Sequence, residues 1–319
     1  MNIRTFDDYR RPQSPQYEPL NEHGDQRSQS NTQGTQQISD EDQFWSYNLE
    51  PGQQPQPYHI FLLCFCPCLI GNQCSPARRG DYIRLLLSFI FWVSIVDIIY
   101  FIVTVSVGGF TSPALNPALG PDSDTLYRMG AKSAYAIKVK YEVYRLFSPI
   151  FMHAGVFHLL INLLAQLSIG LGYERCWSPL RVVPIYLISG VAGNLFSCCV
   201  IFVNDISVGA SGAIMGLIGA KLSSLVCRWN KISPSDRAAQ IVSVLFTILI
   251  VMLWSFSRYI DWASHLGGLM MGVILGFLLF SNHIESKALK VITVVTSILA
   301  FVSFFVTLST VFALVVDAK

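Results

Sequence analysis

Two short segments of this chain pair a candidate nucleophile with a candidate base. Gly209-Ala210-Ser211-Gly212 stands at the head of one long apolar stretch, and His265 stands near the head of another. A serine hydroxyl is a weak nucleophile unless a base lies within hydrogen-bond reach, and histidine is the commonest such base. His158 and Asn162 occur early in a third apolar stretch, four residues apart and therefore on one helix face. Both side chains can donate hydrogen bonds to an oxyanion, as can the backbone N–H of Ser211 at an exposed helix N-terminus. These residue types suit acyl transfer: attack by Ser211, proton movement by His265, and stabilisation of negative charge by Asn162, His158 and the Ser211 amide.

The elements that must carry these residues are membrane spans. The chain has 319 residues, 52% hydrophobic and 13% charged, and several apolar runs exceed the ~18 residues needed to cross a hydrocarbon core. Seven spans are expected, over about 83–107, 152–172, 182–203, 209–228, 238–257, 261–280 and 290–314. A long connection over 108–151 follows the first; the others are short. Arg78, Arg79 and Arg84 precede the first span and favour a cytoplasmic N-terminus. The connections holding Arg175 and Arg181, then Arg228, Lys231 and Arg237, then Lys287 and Lys290 fall on the same side. The long first connection departs from this pattern, with Arg128, Lys132, Lys138, Lys140 and Arg145. A net charge of +2 provides no field for nucleic acid.

Alternation of the spans gives spans two, four and six the same direction. His158, Asn162, Ser211 and His265 are then expected at one level, in the outer half of the bilayer. Each has a plainer reading. A membrane serine commonly bonds to its own helix or to a neighbour, and a buried histidine can be packed and satisfied. Gly268, Gly272 and Gly276 recur every four residues after His265 and are expected to pack span six against a small-residue face, that of span four. Asp261, one turn before His265, is expected to cap the helix rather than orient the imidazole, which leaves a Ser–His dyad. Asp97 in span one is a costly carboxylate at the bilayer centre. A transporter would need polar residues along a continuous path, whereas the inner halves of the spans read as mainly apolar.

Residues 1–57 are polar and acidic and are expected to form a disordered cytoplasmic tail. Within them, Tyr17-Glu18-Pro19-Leu20 has the form of a short sorting signal. Residues 58–82 form a cysteine-rich membrane-proximal interfacial segment, because eleven apolar residues over 60–70 are too few to span. Cys64, Cys66, Cys68 and Cys74 are candidates for reversible palmitoylation, with plain apolar packing as the alternative; their spacing is poor for zinc. Residues 83–280 form the six-helix core, and 281–319 a seventh helix with a short tail. No metal or cofactor is expected.

Three motifs in this order resemble the rhomboid family of intramembrane serine proteases. They are His153-x4-His158-x3-Asn162, Gly209-Ala210-Ser211-Gly212-Ala213-Ile214-Met215-Gly216-Leu217 and Asp261-x3-His265-Leu266-Gly267-Gly268. Tyr144-Arg145 resembles that family's aromatic–Arg pair in the first loop. The resemblance implies an all-α polytopic membrane protein, a rhomboid-like six-helix bundle plus a seventh C-terminal helix of the eukaryotic secretase type. It implies a serine endopeptidase that cleaves single-span membrane proteins near the outer end of their helix, with lateral access near spans two and five. Where the family often carries an aromatic ring stacked on the histidine, this chain has Met215, whose thioether can pack there instead. The plasma membrane or secretory and endosomal membranes are the implied location, rather than mitochondria. The alternative is an inactive rhomboid-like protein that binds and traffics membrane clients.

Overall fold

A computed structural model of the chain describes residues 86–201, 205–255 and 261–315. The tail over 1–57, the segment over 58–82 and Cys64, Cys66, Cys68 and Cys74 lie outside the described residues.

Lipid offers no hydrogen-bond partners, so each apolar run must satisfy its own backbone by forming a helix. The helices are α1 (Phe89–Gly108), α2 (Ser123–Arg128), α3 (Ala134–Val139), α4 (Val156–Ala165), α5 (Leu171–Trp177), α6 (Pro179–Val200), α7 (Ser211–Cys227), α8 (Pro234–Ser255), α9 (Trp262–Phe280) and α10 (Lys287–Leu314). A π-helical turn at Gln166–Gly170 joins α4 to α5, and the three together form one span, Val156–Trp177. Six helices among the described residues are long and apolar enough to cross a membrane. The fold is therefore the all-α polytopic bundle expected, with all seven spans represented. Span four, α7, has 17 residues and reaches only about 25 Å, short of a ~30 Å hydrocarbon core.

The long first connection is ordered rather than open. It contains α2 and α3, two 3-10 turns at Val143–Leu146 and Ser148–Phe151, and strand β1 (Lys132–Ser133). β1 pairs antiparallel with β2 (Ile206–Ser207), Lys132 opposite Ser207. Sequence periodicity could not reveal a two-residue ribbon. Arg145 holds this region together: it is buried, donates to the carbonyls of Tyr127 at 2.7 Å and Ala131 at 2.9 Å, and pairs with Glu142. The hydrogen bond from Arg145 keeps the Glu142 carboxyl below its ordinary range.

The start of α1 is capped from another span. Glu174 accepts from the Ser88 hydroxyl at 2.6 Å and from the backbone N–H groups of Phe89 at 2.7 Å and Ile90 at 3.0 Å. One carboxylate thus satisfies donors that a helix N-terminus leaves open.

The closest packing lies between α7 and α9. A methyl group added at Gly268 would strike the carbonyl of Gly212, and one at Gly272 would strike the carbonyl of Gly216. One added at Gly276 would lie 2.7 Å from the Cα of Ala220. The glycine repeat after His265 therefore packs on the small-residue face of span four, as its spacing suggested. α6 completes the core, with Gly193 against the Ser264 carbonyl.

The C-terminal half of α7 carries one buried cation. Lys221, three turns beyond Ser211, is buried and donates to Gln240 of α8 at 2.7 Å.

Gly272→Val places a branched side chain into the backbone of α7. It is expected to destabilise the bundle by at least ~1–3 kcal/mol, measured as a lowered unfolding midpoint in detergent, whereas Leu299→Val on exposed α10 should change it little.

Candidate active site

The head of the α7–α9 seam brings the two chemical residues together. His265 Nε2 lies 2.5 Å from Ser211 Oγ, although 54 residues separate them. With its ring proton on Nδ1, the imidazole accepts the serine hydroxyl proton at Nε2. His265 is buried and Ser211 half-buried. A small cavity opens on the serine, lined by His158, Asn194, Ser207, Val208, Gly209, Ser211, Asp261 and Ser264.

Local backbone determines how Ser211 is presented. α7 begins at Ser211, and no side chain caps that N-terminus. Its first N–H groups have no intrahelical acceptor, and the helix dipole favours negative charge there. Gly209, two residues earlier, has φ of +137°, a conformation that side chains disfavour. It also lies against the ring of His158: a Cβ there would sit 2.9 Å from Cε1 and 3.1 Å from Nε2. Its N–H donates to the Pro149 carbonyl at 2.9 Å, pinning the segment before Ser211 to the first connection.

His158 lies at the first turn of α4. The Ala154 N–H points to its Nδ1 at 3.4 Å, so the neutral ring carries its proton on Nε2, the nitrogen facing Gly209. His153 packs edge-on against it, ring centroids 5.4 Å apart. Asn162 lies one turn further along α4, buried, with Nδ2 donating to the His158 carbonyl at 2.9 Å. Asn162 is not among the residues lining the cavity, and its amide bonds its own helix. Met215 is buried one turn beyond Ser211.

Asp261 caps α9, as expected, through Oδ1 to the Ser264 N–H at 2.9 Å. Its other oxygen does what the sequence did not reveal. Oδ2 accepts from Lys132 at 2.9 Å, Ser197 at 2.6 Å and Ser207 at 2.6 Å. Asn194 was also missed. It is buried in α6, lines the cavity, and donates to the Leu146 carbonyl at 2.9 Å. A polar residue within an apolar span was the available signal for Asn194. Lys132 offered none, because a lysine in a long connection reads as solvated.

Several known proteins resemble this chain. The Rhomboid domain family model matches residues 140–282. RHOMBOID-like protein 1 of Arabidopsis thaliana is 42% identical over 163 residues, 51% of this chain and 41% of that protein. Rhomboid-like protease 1 of Toxoplasma gondii is 34% identical over 203 residues, 63% of this chain and 67% of that protein. Inactive RHOMBOID-like protein 8 of Arabidopsis thaliana is 38% identical over 160 residues, 50% and 44% of the two chains. Another Arabidopsis relative, RHOMBOID-like protein 6, carries the word mitochondrial in its name. The chain spans about half the length of the curated relatives it matches.

Gly209→Ala is expected to slow modification of Ser211 by a serine-directed phosphonate by about 100-fold, because ångström-scale misplacement has effects of that size. Helix content by circular dichroism should stay unchanged.

Proposed function

Because this chain belongs to the rhomboid family, we propose that it is an intramembrane serine endopeptidase working through a Ser211–His265 dyad. The observation that carries this reading is the 2.5 Å contact between Ser211 Oγ and His265 Nε2 at the head of an uncapped helix.

Ser211 Oγ attacks the carbonyl carbon of the scissile peptide while His265 Nε2 takes the hydroxyl proton. Negative charge develops on the substrate oxygen, where the Ser211 N–H, the His158 Nε2–H and the Asn162 amide stabilise it. The tetrahedral species collapses as His265 delivers its proton to the departing amine, which leaves an acyl-serine. A water gives its proton to His265 and attacks that ester, and the serine is regenerated. Met215, buried one turn beyond Ser211, stands where the family often carries an aromatic ring.

A transmembrane substrate hides its peptide bonds in its own helix, so it must unwind locally to reach the serine. Single-span proteins with helix-breaking or small residues near the outer end of the span are the substrates of this reading. α8 buries little of its surface among the described residues, which suits lateral approach on that side. The N-terminus is cytoplasmic, by the arginines before the first span, and the enzyme works in the plasma membrane or in secretory and endosomal membranes. Fluorescent tagging in cells tests this location, and a mitochondrial signal would overturn it.

The second reading is a client-binding protein without activity, since one relative is named inactive. The presence of both Ser211 and His265 argues against it. Reconstituted protein is expected to cleave a single-span model substrate, and Ser211→Ala and His265→Ala should each lower the rate at least ~100-fold. Unchanged cleavage in either variant would remove the dyad. No cleavage by the intact protein would favour client binding.

A further inference from the structure

Helix capping does not require the cation beside Asp261. Asparagine caps a helix as well as aspartate does, and Oδ1 alone serves the Ser264 N–H. Yet Lys132 reaches Asp261 from the first connection with its side chain 2% exposed. A buried ammonium is costly unless it is paired and hydrogen-bonded. Here it donates to Asp261 Oδ2 at 2.9 Å and to Ser197 Oγ at 2.5 Å.

Four segments meet at that carboxylate. Lys132 comes from β1, Ser207 from β2, Ser197 from α6 and Asp261 from the start of α9. Ser207 lies four residues before Ser211 in the chain. The Asp261 carbonyl accepts from the His265 N–H at 3.2 Å, so one helical turn links the two. The segment carrying the nucleophile and the segment carrying the base are thus joined through one carboxylate oxygen, and one ammonium anchors it.

The pair also sets the charge around the base. Beside His265 among the described residues stand Ser211 of α7, Asp261 at the start of its own helix and His158 of α4, with Lys132 of β1 and Cys198 of α6 beside Asp261 and His153 beside His158. An unpaired Asp261 carboxylate one turn away would favour the imidazolium, which is not a base. An unpaired Lys132 would disfavour it.

We propose that Lys132 is a positioning residue: its buried ion pair with Asp261 holds the Ser211 and His265 segments in register and offsets the charge of Asp261 beside the imidazole. This rests on the reading of Ser211 and His265 as nucleophile and base.

The test is the rate of Ser211 modification by a phosphonate probe, measured against pH in the full chain. Lys132→Met is expected to move the midpoint of the rate profile up, and Asp261→Asn to move it down, each by about one pH unit. The double variant Lys132→Met/Asp261→Asn should return close to the midpoint of the intact protein, and Lys132→Arg should hold it. A merely structural pair would lower rates without shifting midpoints in opposite directions, so coincident midpoints would overturn the proposal. If Lys132→Met alone does not fold, the comparison rests on Asp261→Asn and the double variant, and the absence of a downward shift in Asp261→Asn is again decisive against it. An intact protein that the probe never labels would instead overturn the reading of Ser211.

Discussion

Two helices bring their backbones into contact only where no side chains stand between them. Along the seam of α7 and α9, Gly268 meets Gly212, Gly272 meets Gly216, Gly276 meets Ala220 and Gly219 meets Leu269, so that carbonyls of one helix lie where a Cβ of the other would be. In lipid, apolar side chains gain little by leaving hydrocarbon, and close packing of small residues supplies the attraction instead. Ser211 and His265 stand at one end of this seam. A wider helix separation would carry the imidazole away from the hydroxyl. α7 is short, and its uncapped start puts N–H groups without an intrahelical acceptor at the serine.

Around that end the polar groups are pooled. Lys132, Asp261, Ser197 and Ser207 satisfy one another, and Asn194 joins α6 to the first connection. Each buried donor or acceptor would be costly alone, so the network is stable only when its four segments converge. A second polar seam runs deeper. The π turn after α4 turns Gln166 toward α1 and α6, where it donates to Ser94 at 3.0 Å and accepts from the Tyr186 hydroxyl at 2.9 Å. Asp97 lies buried beside Gln166.

Much of the bundle was legible because membrane spans announce themselves one at a time. An apolar run of sufficient length forms a helix whatever its neighbours do, so all seven were found, with ends displaced by a few residues. Span two ran on to Trp177 because the π turn at Gln166–Gly170 continues the helix without altering its apolar pattern. The glycine spacing after His265 was readable for the same local reason. The first connection was not. Arg145, Lys132 and the two-residue ribbon take their meaning from residues up to 129 positions away, and no periodicity encodes such a pairing.

The sequence by itself determined the element types, the family motifs and the residues able to act as nucleophile, base and oxyanion donors, because those properties belong to side chains and to apolar length. The tertiary structure alone decided that Ser211 and His265 touch, that His158 faces the nucleophile segment through Gly209, that Asn162 spends one N–H on its own helix, and that Asp261 shares its carboxylate with Lys132. Hydrogen bonds and ion pairs act over a few ångströms, and which groups come that close depends on how the glycine seam and the first connection pack.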